Sequence, residues 1–283
     1  MSFAKNVQSR LAENLRPVAR RVRTASAAQP PPAWGRFAAT ILVGLGLVVL
    51  VGAFIDAPVM AWTATLPDNV RAFFSAATRF GRSDWLLIPT GIIAIAVAFG
   101  DWRRVSRPVA AAWWEVATFA ALLFVVVAAT GLTTDLFKPI VGRLRPEYAG
   151  DSVFTFNPFT LGGYRNYSFP SGHATTMGAV AVFAAFAPGV LTMPIIALSA
   201  VVAVSRVMIG VHYPSDVVGG ALIGVGLGYL ILRGMADAGI VFVVRENGKI
   251  GRRFGVVRRL RRRRAGLRAM LRGLWMAWVG RST

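Results

Sequence analysis

Residues 168–187 read SFPSGHATTMGAVAVFAAFA, a short polar motif that runs directly into an uncharged apolar segment. Ser171 or Gly172 can cap a helix that begins here, and the free N–H groups of its first turn then favour a bound anion. Gly172 lets that anion approach the backbone closely, and His173 can protonate a leaving oxygen. Taken alone, the segment fits a simple capping turn with an exposed histidine better than it fits an anion site.

The second histidine follows the next apolar run. Val190–Ser205 is uncharged and ends at Arg206, and His212 and Asp216 lie further along at a spacing of four residues. Residues four apart meet on one helix face, so Asp216 can accept the proton of His212 Nδ1 and leave Nε2 free to attack phosphorus. Arg206 adds a cation nearby. The alternative is a histidine at the end of a span, bonded to Asp216 for structure only.

Upstream, Lys138 and Arg145 lie seven residues apart, and Pro146 follows. On a helix this spacing is about two turns, which predicts that both side chains point to one face. Arginine offers a planar fork to two phosphate oxygens, and lysine offers a compact charge. The alternative is a pair of cations that contact lipid headgroups at the end of a span.

Apolar runs dominate the rest of the chain, which is 55% hydrophobic against about 45–50% in soluble domains. Six of them predict membrane-spanning helices: Phe37–Ile55, Trp85–Gly100, Val109–Leu132, Ala174–Ala187, Val190–Ser205 and Val217–Leu232. Residues 56–84 form a polar-amphipathic segment, and helical spacing of its apolar residues predicts one short interfacial helix: Val70, Phe73, Phe74, Ala77 and Phe80. We therefore predict an all-α, six-span transmembrane bundle over residues 37–233, with basic tails over 1–36 and 234–283.

The net charge of +20 is concentrated in the tails. Of 32 Lys and Arg residues, seven lie in residues 1–36 and thirteen in residues 245–283. Because the tails flank spans, contact with anionic inner-leaflet lipids is a simpler prediction than nucleic-acid binding. Six spans put the tails and the 101–108 loop on one side, with 24 of the 32 cations. The positive-inside rule then predicts cytoplasmic termini and motifs on the outer face of a bacterial inner membrane.

The C-terminal tail has a second pattern. After an arginine-rich stretch over 258–264, apolar residues from Leu267 to Trp278 repeat at three and four positions. This pattern predicts a basic amphipathic helix that lies on the inner leaflet. The alternative is a solvated, disordered arginine-rich tail.

Together the three motifs resemble the signature of the type 2 phosphatidic acid phosphatase superfamily of integral-membrane lipid phosphatases. The matching segments are Lys138…Arg145-Pro146, Pro170-Ser171-Gly172-His173 and Ser205-Arg206…His212…Asp216, with every signature position filled. The resemblance covers residues 37–233 and not the tails. It implies a lipid phosphate hydrolase, and the six apolar runs argue against the superfamily's soluble vanadium-dependent haloperoxidases.

The resemblance also implies a mechanism. His212, oriented by Asp216, attacks phosphorus and forms a phosphohistidine, while His173 protonates the leaving oxygen and then activates water. The phosphate oxygens are bound by three cations and by the helix N-terminus: Lys138, Arg145, Arg206, Ser171 and Gly172. Neither a metal nor another cofactor is implied, because fixed cations replace the magnesium of many phosphoryl-transfer sites.

The membrane position predicts a lipid substrate whose tail stays in its leaflet. Candidates are undecaprenyl diphosphate, phosphatidic acid and phosphatidylglycerol phosphate, with a lipid A phosphate as the alternative. The aromatic-rich loop 147–169 suits a lid over an acyl or prenyl chain, and Arg143 and Arg165 are extra cations that would favour a diphosphate. A phosphotransferase with a polyprenyl diphosphate donor would use the same residues. A non-catalytic adaptor that acts through its tails is a third class, and no oligomeric state is predicted.

Overall fold

A computed structural model describes most of the chain. The described residues are 8–16, 19–20, 34–150, 152–186, 189–239, 242–244, 250–252 and 266–279. Two sequence features lie outside them: the Gln29-Pro30-Pro31-Pro32 stretch, whose composition predicts a stiff linker, and the arginine-rich stretch over 258–264.

Each of the six predicted spans corresponds to a helix, as expected where hydrocarbon leaves the backbone no other hydrogen-bond partner. The helices are α1 (8–16), α2 (Trp34–Phe54), α3 (Asp56–Ala64), α4 (Asp68–Ala77), α5 (Asp84–Phe99), α6 (Arg107–Val141), α7 (Gly172–Phe186), α8 (Thr192–Met208), α9 (Pro214–Asp237) and α10 (Gly266–Trp278). The helical class is confirmed. Within the described residues the chain departs from it in one antiparallel ribbon, in which β1 (Phe242–Val244) pairs with β2 (Ile250–Arg252).

Not all of these helices are long enough to cross a bilayer by themselves. Within the described part of the chain, three segments pass a test of length and apolarity: Asp68–Phe99, α6 and α9. A fourth passes if α2 and α3 form one span across a 50° bend. α7 and α8 are apolar but have only 15 and 17 residues, about 23–26 Å of helix. The count of six crossings therefore stays a prediction.

The region predicted to hold one interfacial helix contains two. α3 ends at Ala64 and α4 begins at Asp68, after which a 3₁₀ turn over Thr78–Gly81 leads into α5. α4 and the turn after it cover the predicted apolar face, but the members of that face differ in burial: Val70, Phe74 and Ala77 are half-buried, whereas Phe73 and Phe80 are exposed. Its position at the membrane interface stays a prediction.

The chain forms two compact units by its internal contacts. The first comprises Met1–Pro30, Leu86–Val125 and Leu232–Thr283, and the second comprises Pro31–Trp85 and Val126–Ile231. All the residues predicted for the phosphate site belong to the second unit. The predicted boundaries of the core and the tails stay predictions.

In the second unit, α7 and α9 approach each other at backbone contact distance. A Cβ added at Gly220 would lie 2.3 Å from the carbonyl oxygen of Ser171, and one at Gly224 would lie 2.2 Å from that of Thr175. Glycine alone allows this approach, because it has no Cβ. The hydroxyls of Thr134 and Thr175 form a 2.9 Å hydrogen bond that joins α6 to α7. The start of α7 is thereby fixed against the first turns of α9.

In the first unit, the described part of the N-terminal tail contacts the connection between α5 and α6. Glu13 forms a 2.7 Å ion pair with Arg103, and Arg10 lies 3.5 Å from Asp101. Asn14 donates a 2.9 Å hydrogen bond to the carbonyl of Ala98. α1 is thus placed beside the predicted inner loop.

α10 is a helix, as predicted, and it packs on the same connection within the first unit. Its buried face contains Met270, Gly273 and Ala277. A Cβ at Gly273 would lie 2.5 Å from Val109 Cγ1, and Trp113 Nε1 donates a 2.8 Å hydrogen bond to the carbonyl of Met270. Several apolar members of the predicted stripe are exposed instead, namely Leu271, Trp275 and Trp278. Its contact with the inner leaflet stays a prediction.

Candidate active site

His212 lies in the short connection between α8 and α9, and only 2% of its surface is exposed. Its Nδ1 lies 3.4 Å from Asp216 Oδ2, and its Nε2 lies 3.3 Å from Arg145 Nη1. Because the carboxylate can only accept, Nδ1 carries the proton and the Nε2 lone pair faces the guanidinium. This arrangement leaves Nε2 as the ring nitrogen with a free lone pair.

The environment of His212 favours the neutral ring. Burial lowers the pKa of His212 to about 4, and the hydrogen bond and charge of Asp216 oppose that shift. The positive charges of Arg145 and Arg206 lower the pKa further. At neutral pH the imidazole is therefore uncharged, as nucleophilic attack requires.

Asp216, the third residue of α9, is completely buried. Its Oδ2 accepts hydrogen bonds from Ser168 Oγ at 2.5 Å and from the Tyr213 N–H at 2.9 Å, besides facing His212. Its Oδ1 accepts from Arg143 Nη1 at 2.7 Å. Both carboxylate oxygens are thus held by donors, which fixes the plane of the group.

Arg145 does not share a helix face with Lys138, and that prediction is wrong. α6 ends at Val141, and Gly142 follows with φ +60°, so Arg145 lies in the loop. Its Nε donates to the carbonyl of Tyr164 at 2.9 Å, and its guanidinium stacks 3.8 Å above the Tyr164 ring. Burial lowers the pKa of Arg145, but a guanidinium remains charged.

The other two predicted cations lie on helices. Arg206, near the end of α8, donates from Nη1 to Thr78 Oγ1 at 2.7 Å. Its Nε is buried and has no hydrogen-bond partner among the described residues. Lys138, in the last turn of α6, pairs with Asp135 at 2.6 Å, and its Nζ would lie 3.6 Å from a Cβ at Gly172.

The residues around the start of α7 are tied to the same place. The Ser171 N–H donates to the main-chain oxygen of Asp216 at 3.0 Å, while Ser171 Oγ is buried without a partner among the described residues. His173 is half-buried and packs on the 78–81 turn, where a Cβ at Gly81 would lie 2.4 Å from His173 Cδ2. The structure therefore gathers the predicted residues of all three motifs into one region of the second unit.

Four residues of this region had no predicted catalytic or phosphate-binding role: Asp56, Thr78, Gly81 and Ser168. Arg143 was predicted to favour a diphosphate, and that prediction is wrong, because its side chain is 4% exposed and bonded to Asp56 and Asp216. Ser168 lies inside the first motif, but a serine there has many possible roles. Asp56 could have been noticed as a charge directly after the first apolar run.

A metal site is not apparent in the described part of the chain, where no group of three or more His, Cys, Asp or Glu residues is placed to bind an ion. The donors that converge on His212 are cations and N–H groups. They can bind an oxyanion, which makes a phosphate the group that fits this arrangement.

Comparison with known proteins agrees with this geometry. The sequence model of the PAP2 superfamily matches residues 119–240. The chain is 35% identical over 238 residues to a lipid A 1-phosphatase of Rhizobium johnstonii, across 81% of this chain and 92% of the relative. This chain belongs to the PAP2 superfamily. It is therefore a phosphatase, which is a kind of hydrolase. The region that the PAP2 model matches, residues 119–240, contains all three signature segments.

Other PAP2 relatives are similar over different lengths. A lipid A 1-phosphatase of Rhizobium etli is 34% identical over 227 residues, which are 77% of this chain and 92% of that protein. An undecaprenyl-diphosphatase of Sulfolobus acidocaldarius is 31% identical over 109 residues, which are 38% of this chain and 49% of that protein.

A solved PAP2 structure has the same fold. The transmembrane PAP2-type phosphatidylglycerolphosphate phosphatase of Bacillus subtilis matches with a TM-score of 0.50 at 21% identity. The match covers 71% of this chain and 95% of that one. With its apolar helices, this PAP2 phosphatase is an integral membrane protein.

Proposed function

We propose that this protein hydrolyses a lipid phosphate through a phosphohistidine on His212. The observation that carries the proposal is the buried chain from Asp216 to His212 Nδ1 and from Nε2 to Arg145. It presents an uncharged nitrogen nucleophile where a cation would hold the phosphate. The roles of His173, Lys138, Ser171, Gly172 and Arg206 are part of the same proposal.

The chemistry balances without a redox step. His212 Nε2 forms a bond to phosphorus as the bond to the leaving oxygen breaks, and that oxygen takes a proton from the protonated form of His173. Burial and the charge of Arg206 lower the pKa of His173 to about 3, so we propose that the negative charge of the bound phosphate holds this ring in its protonated form. In the second step a water gives a proton to His173 and attacks phosphorus. The N–P bond breaks, inorganic phosphate leaves, and both histidines return to their starting states.

Two buried donors support a phosphate in this position. Ser171 Oγ and Arg206 Nε have no hydrogen-bond partner among the described residues, and an unpaired buried polar group is costly. Phosphate oxygens would accept from both. Since Arg145, Arg206 and Lys138 supply positive charge, we propose that hydrolysis needs no metal and no other cofactor.

We propose a lipid A-type glycolipid phosphate as the first substrate to test. The two relatives that carry the name lipid A 1-phosphatase each align over 92% of their own length. Undecaprenyl diphosphate, phosphatidic acid and phosphatidylglycerol phosphate remain in the panel. The diphosphate preference loses one of its two supporting cations, because Arg143 is engaged elsewhere.

We propose that the 147–169 loop shapes access for the lipid tail. Tyr164 is used against Arg145, whereas Phe159 and Leu161 are 83% and 90% exposed. In the folded chain Phe159 lies next to Ile140. Ile140 is the last member of an exposed apolar stripe on α6 that includes Leu132 and Leu136. An apolar loop tip that continues an apolar helix surface suits contact with hydrocarbon chains.

We propose a bacterial inner-membrane location with both termini in the cytoplasm and the site on the outer face. Charge distribution supports this orientation. In the first unit, Glu13 of α1 and Ala277 of α10 each bond to the connection between α5 and α6, so both tails lie on its side. We propose that anionic lipids meet the tails, and that nucleic acid does not.

The test is phosphate release by purified protein in detergent with EDTA present, across the four lipids. Release that survives EDTA and is lost in His212→Ala supports the proposal, and the ranking names the substrate. Release only when an acceptor lipid is added would favour a phosphotransferase. No turnover with or without acceptors would favour an adaptor.

The covalent intermediate has a separate test. With ³²P-labelled nitrophenyl phosphate the leaving group needs no proton, so His173→Ala should form the intermediate and fail to hydrolyse it. We expect the label to stay on His173→Ala protein and to be absent from His212→Ala. Equal labelling of both variants would contradict the assignment of His212.

A further inference from the structure

We propose that Asp56 and Arg143 are positioning residues that hold Asp216, and through it His212, in the reactive orientation. The inference rests on the proposed role of His212. It concerns two charged residues that fill no signature position of the three motifs, and it is carried by their burial and hydrogen bonds.

Asp56 is the first residue of α3 and is completely buried at the bend after α2. Its Oδ1 accepts the Ser215 N–H at 2.8 Å. Its Oδ2 accepts from Ser215 Oγ at 2.5 Å and from Arg143 Nη2 at 2.8 Å. Asp56 therefore holds the first turn of α9 at the residue before Asp216.

Arg143 connects the two carboxylates. Its Nη1 donates to Asp216 Oδ1 and to Ser215 Oγ, both at 2.7 Å, and its Nη2 donates to Asp56 and to the carbonyl of Val153. The guanidinium also lies 4.0 Å above the Tyr213 ring. Both terminal nitrogens are occupied by the protein, and Nε alone lacks a hydrogen-bond partner among the described residues, so this arginine cannot offer the fork of its two terminal nitrogens to a phosphate.

Such a buried charge cluster is a poor way to gain stability. Removing charges from water costs free energy that their mutual attraction often only balances, and apolar replacements can be as stable. The cluster instead fixes the orientation of the Asp216 carboxylate. Arg143 binds Asp216 Oδ1, which leaves Oδ2 turned toward His212 Nδ1. Asp56 and Arg143, which are far apart in sequence, thus set the orientation of the proposed nucleophile.

The charges of Asp56 and Arg143 should shift the titration midpoint of His212 in opposite directions. Asp56 offsets the charge of Arg143, so Asp56→Asn should let Arg143 draw Asp216 away from the imidazole. Arg143→Gln should leave Asp216 unopposed and strengthen its hold on the Nδ1 proton. The other charged groups that act on His212 are Arg145 and Arg206, and neither variant changes them.

The experiment follows His212 directly by ¹⁵N NMR of histidine-labelled full-length protein. In a His173→Ala background, with an affinity tag that contains no histidine, only His212 contributes a signal. We expect its titration midpoint to fall in Asp56→Asn and to rise in Arg143→Gln, each by about one pH unit. In the double variant the midpoint should return toward that of the parent protein.

Kinetics give a second readout in the protein with both histidines. We expect kcat to fall by about tenfold or more in Asp56→Asn, with KM nearly unchanged, because no substrate contact is lost. Arg143→Lys should recover part of the activity that Arg143→Gln loses. The matched controls Asp68→Asn and Arg103→Gln change exposed residues and should match the parent in both measurements.

Shifts of the same sign in both variants, or no shift in either, would overturn the proposal. So would a loss of activity in Asp56→Asn without any change at His212. If Arg143→Gln fails to fold, Arg143→Lys and the double variant provide the same comparison. Failure of the phosphohistidine mechanism is recognised separately, because His212→Ala would then remain active whatever the NMR shows.

Discussion

At the scale of single residues, the proposed nucleophile is a histidine that burial keeps uncharged. Its pKa of about 4 reflects desolvation, and Asp216 offsets part of that effect. In the folded protein the ring stays neutral well below the ordinary histidine value of about 6.5. The reactive nitrogen therefore needs no deprotonation at neutral pH.

This protonation state can be measured, because the chain has only two histidines. In ¹⁵N-labelled His173→Ala protein we expect His212 to be the Nδ1–H tautomer at pH 7 and to titrate near 4. Asp216→Asn should lower the midpoint further, because it removes the charge that favours the protonated ring. A midpoint near 6.5 in the parent would contradict the buried, desolvated environment.

The same shift makes stability depend on pH. The unfolded chain takes up a proton at His212 near 6.5, while the folded protein does so near 4. The contribution is fully present above about 6.5 and is lost as the pH falls toward 4. We expect Tm to fall less between pH 7 and pH 4.5 in His212→Gln than in the parent, and an equal fall would argue against the shift.

How much of the site can be predicted from sequence depends on how far apart its residues lie along the chain. The pair His212 and Asp216 is local, so its helical spacing is visible in sequence. Asp56 and Arg143 lie 87 residues apart, and only the folded chain brings them together. Arg145 was misplaced because Gly142 turns the chain out of α6, which the seven-residue spacing does not reveal.

At the scale of elements, the 78–81 turn supports two of the proposed residues. Thr78 accepts a hydrogen bond from Arg206, and Gly81 packs on His173. A methyl group at Gly81 would lie 2.4 Å from His173 Cδ2 and 2.8 Å from Val202 Cγ1. Since α8 backs the turn, the side chain of His173 is the part that must move.

We therefore expect Gly81→Ala to lower kcat by about tenfold to a hundredfold through displacement of His173. The control is Gly131→Ala in α6, where an added Cβ meets nothing within 4 Å. Initial rates with the best lipid of the panel measure both variants. Full activity in Gly81→Ala would show that His173 tolerates the shift or has no part in turnover.

The contact between α7 and α9 offers a matched pair on one helix. An added methyl at Gly224 would meet the carbonyl oxygen of Thr175, whereas one at Gly226 meets open space. We expect Gly224→Ala to destabilise by about 1–3 kcal/mol. Gly226→Ala should be neutral or stabilising, because alanine favours helix over glycine. Thermal unfolding in detergent measures both, and equal Tm values would contradict the close packing.

The helices themselves were predictable because apolar length is a strong pattern. The exposed and buried faces were not, as α10 illustrates. Its Leu271 and Trp275 are exposed, while Gly273 packs on Val109. A small residue permits close approach without adding to apolar periodicity, so a hydrophobic pattern does not reveal a contact that depends on glycine.

At the scale of the whole molecule, orientation follows from which segments share a side. In the first unit, the carboxylate of Asp101 forms an ion pair with Arg10, and the N–H of Asp101 donates a hydrogen bond to the carbonyl of Ala277. Both tails therefore meet one connection between helices. We predict that the phosphate site lies on the opposite face of the membrane, because α6 follows this connection in the chain, is 35 residues long and is therefore long enough to cross a hydrocarbon layer of about 30 Å.

Because the chain has no cysteine, single cysteines report this orientation without background. We expect Ser152→Cys, in the loop beside the site, to react with a membrane-impermeant maleimide in intact bacterial spheroplasts. Ala12→Cys, Ser106→Cys and Val279→Cys, all at exposed positions, should react only after lysis. The proposed orientation requires the four cysteines to divide in this way, because α6 is predicted to cross the membrane between the 101–106 connection and the site. Labelling of Ala12→Cys and Ser152→Cys from the same side would require α6 not to cross, and would remove the outer-face location together with the cytoplasmic tails.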